Sequence, residues 1–202
     1  MDDEAKWRGT RDGGRRTAIL VQAADLFAGK GIAATTVREI ADAVGILSGS
    51  LYHHFRSKDE IVHAIVTSYL DDLTGRYAQI VAAGSEPRAQ LAELVHGSLA
   101  VIEAHPHATE IYQNNAGHLA SLDGSDQIRA AAHTIQKSWI TVLEAGVASG
   151  DFRSGIPPTV LYRLIRDALW LSVRWFTPTE QYSMKQFADD FVSTFLEGLL
   201  PR

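Results

Sequence analysis

Between residues 36 and 58 the chain sets out small, hydroxylic and basic side chains suited to nucleic-acid contact. Ser48, Gly49, Ser50, Tyr52 and His53 lie close together, with Thr36 and Arg38 before them and Lys58 behind. A glycine admits close backbone approach, and hydroxyl and imidazole groups hydrogen-bond phosphates or base edges. A lysine ammonium pairs with phosphate. Arg166, Trp170 and Arg174 form a second set, spaced four apart. On a helix they are neighbours along one face, an indole between two guanidiniums. That arrangement suits an anionic ligand with a planar ring. A solvated face with an incidental Arg163–Asp167 pair is the alternative. Tyr112, Gln113 and Asn114 make a third polar cluster inside an apolar helix, with Gln113 the candidate ligand contact; helix-to-helix bonding is the other reading.

Other chemistries are excluded. The absence of cysteine removes disulfides, thiol catalysis and cysteine-based zinc sites. The eight histidines include His105-Pro-His107 and His118, but no HExxH or similar spacing, so no metal site is assigned. There is no glycine-rich phosphate loop, nucleophile elbow or credible Ser-His-Asp set. No enzyme activity and no cofactor are expected.

The elements that must position these residues are helical almost throughout. Ile19, Ala23 and Phe27 recur every four residues, and Gly29 and Gly31 stop that helix. Thr36-Val-Arg-Glu39 is a capping box. It opens a short helix to Val44 with Val37, Ile40, Ala41 and Val44 as its buried face. Gly45 supplies a tight turn, and a third short helix runs to about Phe55. Leu51 and Phe55, four apart, must face the core there, which turns Gly49, Tyr52 and His53 outward with Ser48 and His54 on the flanks. Ser57-Lys-Asp-Glu60 reads as a second capping box opening a long helix towards Val81.

Further helices follow from near Pro87, from Pro106 to about Leu122, from about Asp126 to Val147, from Ile156-Pro-Pro to about Phe176, and from about Ser183 to Leu199. The total is about nine, three short and six longer. In the helix from Leu161 to Phe176, Leu161, Leu164, Ala168, Leu171 and Trp175 read as the core face. Phe187, Phe191, Phe195 and Leu199 read as more apolar surface than one subunit needs, or as internal core.

Charge divides the chain in the same place. From Ala5 to Lys58 nine basic residues face four acidic ones, a surplus of five, while the whole chain carries −5. A basic head on an acidic body suits DNA binding. No apolar run approaches the roughly 18 residues of a membrane span, and Met1–Arg16 does not read as a signal peptide. The expected fold is all-α: a three-helix helix-turn-helix domain at residues 1–60 and a larger six-helix ligand-binding and dimerisation domain at 61–202. A cytoplasmic location without membrane contact follows.

The stretch Thr36-Val-Arg-Glu-Ile-Ala-Asp-Ala-Val-Gly-Ile-Leu-Ser-Gly-Ser-Leu-Tyr-His-His-Phe-Arg-Ser-Lys58 resembles the DNA-binding signature of TetR-family regulators. Thr36, Ile40, Ala41, Gly45, Gly49, Leu51, Tyr52, His54, Phe55 and Lys58 match. Val44 replaces the usual alanine, and Leu47 replaces the usual capping serine, which alters how the third helix begins. The resemblance implies a homodimer reading a palindromic double-stranded DNA operator, released when a small-molecule effector enters the larger domain. With the outward face of the third helix, the candidate DNA contacts are Thr36, Arg38, Ser48, Gly49, Ser50, Tyr52, His53 and Lys58.

Ile46-Leu-Ser-Gly-Ser-Leu-Tyr-His-His-Phe55, Ile111-Tyr-Gln113 and Leu161-Tyr-Arg-Leu-Ile-Arg-Asp-Ala-Leu-Trp-Leu-Ser-Val-Arg-Trp175 resemble, more narrowly, the KstR-type branch of actinobacterial repressors of steroid-ring catabolism. That implies an acyl-CoA thioester as effector, for which the Arg166, Trp170 and Arg174 stripe and Gln113 are the candidate contacts. A regulator of the same fold sensing another apolar ligand, or a helical acyl-CoA-binding protein or enzyme, is the alternative.

Overall fold

The computed structural model describes residues 11–199, with side chains from 14 to 197. Three helices make the head: α1 (Arg11–Lys30), α2 (Val37–Val44) and α3 (Ser48–Leu51). Helix α1 buries Ile19, Leu20, Ala23 and Phe27. Helix α2 starts at the capping box expected from sequence. The Glu39 N–H donates to Thr36 Oγ1 at 3.2 Å, and the Thr36 N–H donates to Glu39 Oε2 at 2.8 Å. Gly45 ends it in the left-handed region at φ 72°, where a side chain would be strained.

Leu47 starts α3 with no side-chain cap, and regular α geometry lasts four residues, short of Phe55. A missing cap costs about 1 kcal/mol. The chain continues as turns, with the Phe55 N–H donating to Leu51 O at 3.0 Å. Leu51 and Phe55 are nevertheless buried as their spacing required.

Lys30 also pairs with the Glu39 carboxylate. That ammonium, the Thr36 hydroxyl and the Thr36 N–H lower the Glu39 pKa from 4.5 to about 2. A carboxyl depressed in the folded state adds stability above its unfolded pKa and loses it as pH falls through the folded value. The head is therefore expected to weaken as pH falls from 4.5 to about 2. Acid titration followed by far-UV circular dichroism should show Glu39→Gln lacking this component. Superimposable acid transitions for the two proteins would contradict it.

Helix α4 (Lys58–Ala83) leaves the head and runs through the body. Its cap is half the expected box. Ser57 Oγ accepts from the Glu60 N–H at 3.1 Å, but the Glu60 carboxylate accepts from the Arg56 N–H at 2.6 Å instead of from Ser57. The body adds α5 (Pro87–Ala104), α6 (Pro106–Asn114), α7 (Ala116–Ser121), α8 (Ser125–Ser149), α9 (Pro158–Trp170) and α10 (Met184–Leu199). Among the described residues there are ten α-helices and no strands. One more helix is present than expected because the segment 106–122 breaks at Asn115, whose amide donates to Ile111 O at 2.9 Å.

Helix α4 packs against α5 and α8, α8 against α9, α10 against α5, and α6 against both α1 and α4. The body core is aromatic: Tyr77 meets Trp139 edge-on at 5.9 Å, and Trp139 meets Trp170 at 6.3 Å. Phe187 and Phe191 are buried, which places them in the chain's own core. The Leu199 side chain lies outside the described residues.

The orientation of α9 corrects the sequence reading. Tyr162, Ile165, Leu169 and Trp170 are buried with Leu161, whereas Leu164, Leu171 and Trp175 are 55%, 39% and 68% exposed. Both stripes are apolar at helical spacing, so periodicity alone does not rank them. The helix also stops at Trp170 and tightens into a 3-10 turn at Leu171–Arg174. There the buried Ser172 hydroxyl donates to Leu169 O at 2.6 Å, a local bond that competes with continued α geometry.

Candidate DNA-reading surface and ligand cavity

On the head, the α2–Gly45–α3 turn presents one polar surface. Gly49, Tyr52 and His53 are exposed, with Ser48 and Ser50 half-buried beside them. Arg38 is exposed and lies 3.8 Å from Asp42. Thr36 is engaged in its cap, its hydroxyl donating to Glu39 Oε2 at 2.7 Å. Sequence reasoning did not single out Arg16, whose guanidinium sits 4.4 Å from the centre of the Phe55 ring and adds positive charge behind α3. Its signal was the run of basic residues in α1, which spacing alone could not place.

Lys58 is engaged within the head. Its ammonium donates to Ile32 O at 2.6 Å, to Thr35 O at 2.9 Å and to Ala33 O at 3.4 Å. Three carbonyls of the α1–α2 connection therefore occupy the charge expected to meet phosphate. Lys58 fastens that connection to the start of α4.

In the body, one cavity of about 360 Å³ lies among α4, α6, α8 and α9. Gln113, Arg166 and Trp170 all line it, as do Tyr112 and Tyr162. Arg174 does not; its guanidinium donates to Asn114 Oδ1 at 2.5 Å and ties the 3-10 turn to α6. Trp170 is also not an indole sandwiched between arginines. It is 4% exposed, and its Nε1–H donates to Tyr69 OH at 2.8 Å. The 3-10 turn breaks the i, i+4 register that would have carried the stripe to residue 174.

Leu70, Leu73 and Ile135 make the apolar part of the lining, with the polar part formed by Gln113, Arg166 and a stretch of α8. That stretch is Arg129, Ala132, His133 and Gln136, which sequence reasoning missed. The spacing i, i+3, i+4, i+7 places all four on one helical face and was the available signal. Burial raises the Tyr112 and Tyr162 phenols above their usual 10.0, and Arg166 pulls both back. Both are neutral hydrogen-bond donors at neutral pH.

Helix α6 connects the cavity to the head. Its Tyr112 and Gln113 face the cavity, while His107 Nε2 lies 3.5 Å from the Asp25 carboxylate on α1. His105 Nε2 lies 3.3 Å from Asp72 on α4. Burial acts to raise the Asp72 pKa, but Arg76 and His105 outweigh it and hold the carboxyl below its usual value. His118 approaches Asp59 at 3.1 Å, so these histidines join helices pairwise. Among the described residues no three His, Asp or Glu side chains gather to hold a metal ion. Within the same residues no helix is long and apolar enough to cross a membrane.

Comparison with known proteins agrees with this layout. Residues 19–65 match the family described as "Bacterial regulatory proteins, tetR family", and residues 84–199 match "Tetracyclin repressor-like, C-terminal domain". The chain is 45% identical over 186 residues to the HTH-type transcriptional repressor KstR2 of Rhodococcus jostii, covering 92% of this chain and 91% of that protein. It is 42% identical to the repressor of the same name from Mycolicibacterium smegmatis, covering 92% and 90%. The solved structure of the ketosteroid transcriptional regulator KstR2 of Mycobacterium tuberculosis superposes with a TM-score of 0.87 at 40% identity, over 93% of this chain and 96% of that one.

Proposed function

The chain belongs to the tetR family of bacterial regulatory proteins, and from that premise we propose that it is a transcriptional repressor whose hold on a palindromic operator is released by an amphiphilic anion bound in the body cavity. It is a regulator rather than an enzyme and acts in the cytoplasm. The observation that carries the reading is the two-sided lining. Leu70, Leu73, Ile135 and Trp170 accept an apolar body, while Arg129 and Arg166 meet a charged head.

The proposed effector is a CoA thioester of a steroid ring-degradation intermediate. The relative of solved structure described as a ketosteroid transcriptional regulator supports the steroid part of that class. Size supports it too, since a cavity of about 360 Å³ takes a ring fragment and leaves the nucleotide part beyond its mouth. The proposed reading surface is Ser48, Gly49, Ser50, Tyr52 and His53, flanked by Thr36 and Arg38, placed by α3 in the major groove.

The functional unit is a homodimer. The exposed Val160, Leu164, Leu171 and Trp175 offer the apolar face that a second copy would cover. Two heads about 34–36 Å apart then meet successive turns of DNA. A ligand pressing on Tyr112 and Gln113 displaces α6, and α6 carries α1 with it through packing and the His107–Asp25 contact. Coupling of this kind is reciprocal, so operator binding weakens ligand binding by the same factor.

A gel-shift assay with DNA upstream of the chain's own gene tests this. Retardation is expected at low salt, reversed by CoA thioesters of steroid-ring fragments. No retardation across neighbouring promoters would sink the repressor reading. Retardation that no such thioester reverses would sink only the effector.

A further inference from the structure

Trp170 lines the cavity, yet its Nε1–H is committed elsewhere, donating to Tyr69 OH on α4 at 2.8 Å. Tyr69 is 0% exposed and is not a lining residue. Its hydroxyl also hydrogen-bonds the Thr109 side chain on α6. The Thr109 hydroxyl proton is already spent on His105 O at 2.9 Å, so Tyr69 donates to Thr109 Oγ1. Burial raises the Tyr69 phenol above its usual 10.0, so that proton stays in place at neutral pH. The hydrogen bonds therefore run in one direction, from Trp170 to Tyr69 to Thr109 to His105 O. They join α9, α4 and α6 through three side chains that are all buried.

A buried donor or acceptor that loses its partner is costly, so groups linked in this way shift together. Both α4 and α6 lead from the chain to the head. Helix α4 starts at the head, and Tyr69 sits about 16 Å along it from Lys58. One turn from Thr109, His105 pairs with Asp72 of α4, and His107 reaches Asp25 of α1.

We propose that Tyr69 is the positioning residue through which Trp170 transmits effector entry to α4 and α6. This rests on the cavity being the effector site, and adds what sets the size of the response as distinct from the affinity. An effector pressing on the indole shifts its Nε1–H. Tyr69 follows to keep the bond, and carries α4 and Thr109 with it.

Fluorescence anisotropy with the operator duplex, in full-length protein, tests the assignment. Operator affinity is measured without effector and with saturating CoA thioester of an indane-propionic acid, and the ratio is the coupling factor. Tyr69→Phe is expected to cut that factor about fivefold. Operator affinity without effector, and thioester affinity without operator, should stay within about threefold of wild type. Thr109→Val should cut the factor in the same direction, since His105 O keeps the Thr109 N–H at 3.0 Å and only the link from Tyr69 is lost. The double variant should lose no more than Tyr69→Phe alone, because both changes break one chain.

Tyr77→Phe is the control for a purely structural loss. Tyr77 lies about two turns further along α4 and is also 0% exposed, but its hydroxyl pairs with Ser98 on α5. It should lower the thermal midpoint as Tyr69→Phe does and leave the coupling factor unchanged.

A coupling factor within twofold of wild type in both Tyr69→Phe and Thr109→Val would overturn the relay and leave the effector reading standing. A fall in Tyr77→Phe as large as in Tyr69→Phe would also overturn it. Failure of the thioester to weaken operator binding by the wild type would overturn the effector reading itself, and this inference with it.

Discussion

Alanine at both Tyr52 and His53 is expected to weaken operator binding about 100-fold while leaving the thermal midpoint unchanged. Both side chains are exposed, Tyr52 by 54%, so neither contributes to the head core. The helix face is set from below: Leu51 and Phe55 are 0% and 1% exposed and anchor α3. A lost base or phosphate contact costs about 1–3 kcal/mol, and the two residues act on each half-site of a dimer. Leu51→Ala provides the contrast. It should lose about 2–5 kcal/mol of stability and take DNA binding with it. Fluorescence anisotropy with an operator duplex, paired with thermal unfolding, separates the two outcomes. A change below threefold for the double variant would remove Tyr52 and His53 from the reading surface.

The second large effect concerns Trp170 and Arg166, which share a cavity wall but differ in burial. Trp170→Ala deletes a side chain that is 4% exposed, bonded to Tyr69 and packed against Trp139. Large-to-small changes at such aromatic positions cost about 3–5 kcal/mol. In a chain of this size that lowers the thermal midpoint by about 10 °C, so loss of effector response in that variant is confounded with damage to the fold.

Trp170→Phe keeps an aromatic ring in place and gives up the bond to Tyr69, a cost of about 1 kcal/mol. It should raise the effector concentration needed for release about tenfold through the altered cavity wall. Arg166 is half-buried, with its charge held by the exposed Asp167. Arg166→Ala is therefore expected to abolish release while leaving operator affinity and midpoint nearly unchanged. A normal effector response in both Arg166→Ala and Trp170→Phe would remove this wall of the cavity from the effector site.

Local signals determined the head. The capping box at Thr36–Glu39, the left-handed Gly45 and the inward turn of Leu51 and Phe55 depend on residues within a few positions of each other, so spacing was enough to place them. The same locality showed that Leu47 could supply no cap. In the body, Gln113 and Arg166 stood out as polar groups on apolar helices, and both line the cavity.

Tertiary structure alone decided the rest, because it depended on what lay opposite. Helix α9 carries two apolar stripes, and packing against α8 selects the one with Tyr162, Ile165 and Leu169, turning Trp170 inward to Tyr69. Arg174 left its expected stripe when Ser172 tightened the backbone into a 3-10 turn. The Lys58 ammonium found its partner in Ile32, a carbonyl 26 positions away, which no local pattern encodes. Arg129 and His133 became cavity residues only because α8 crosses beside α9. Periodicity states which residues share a face; only the neighbouring helix states whether that face is core, cavity or surface.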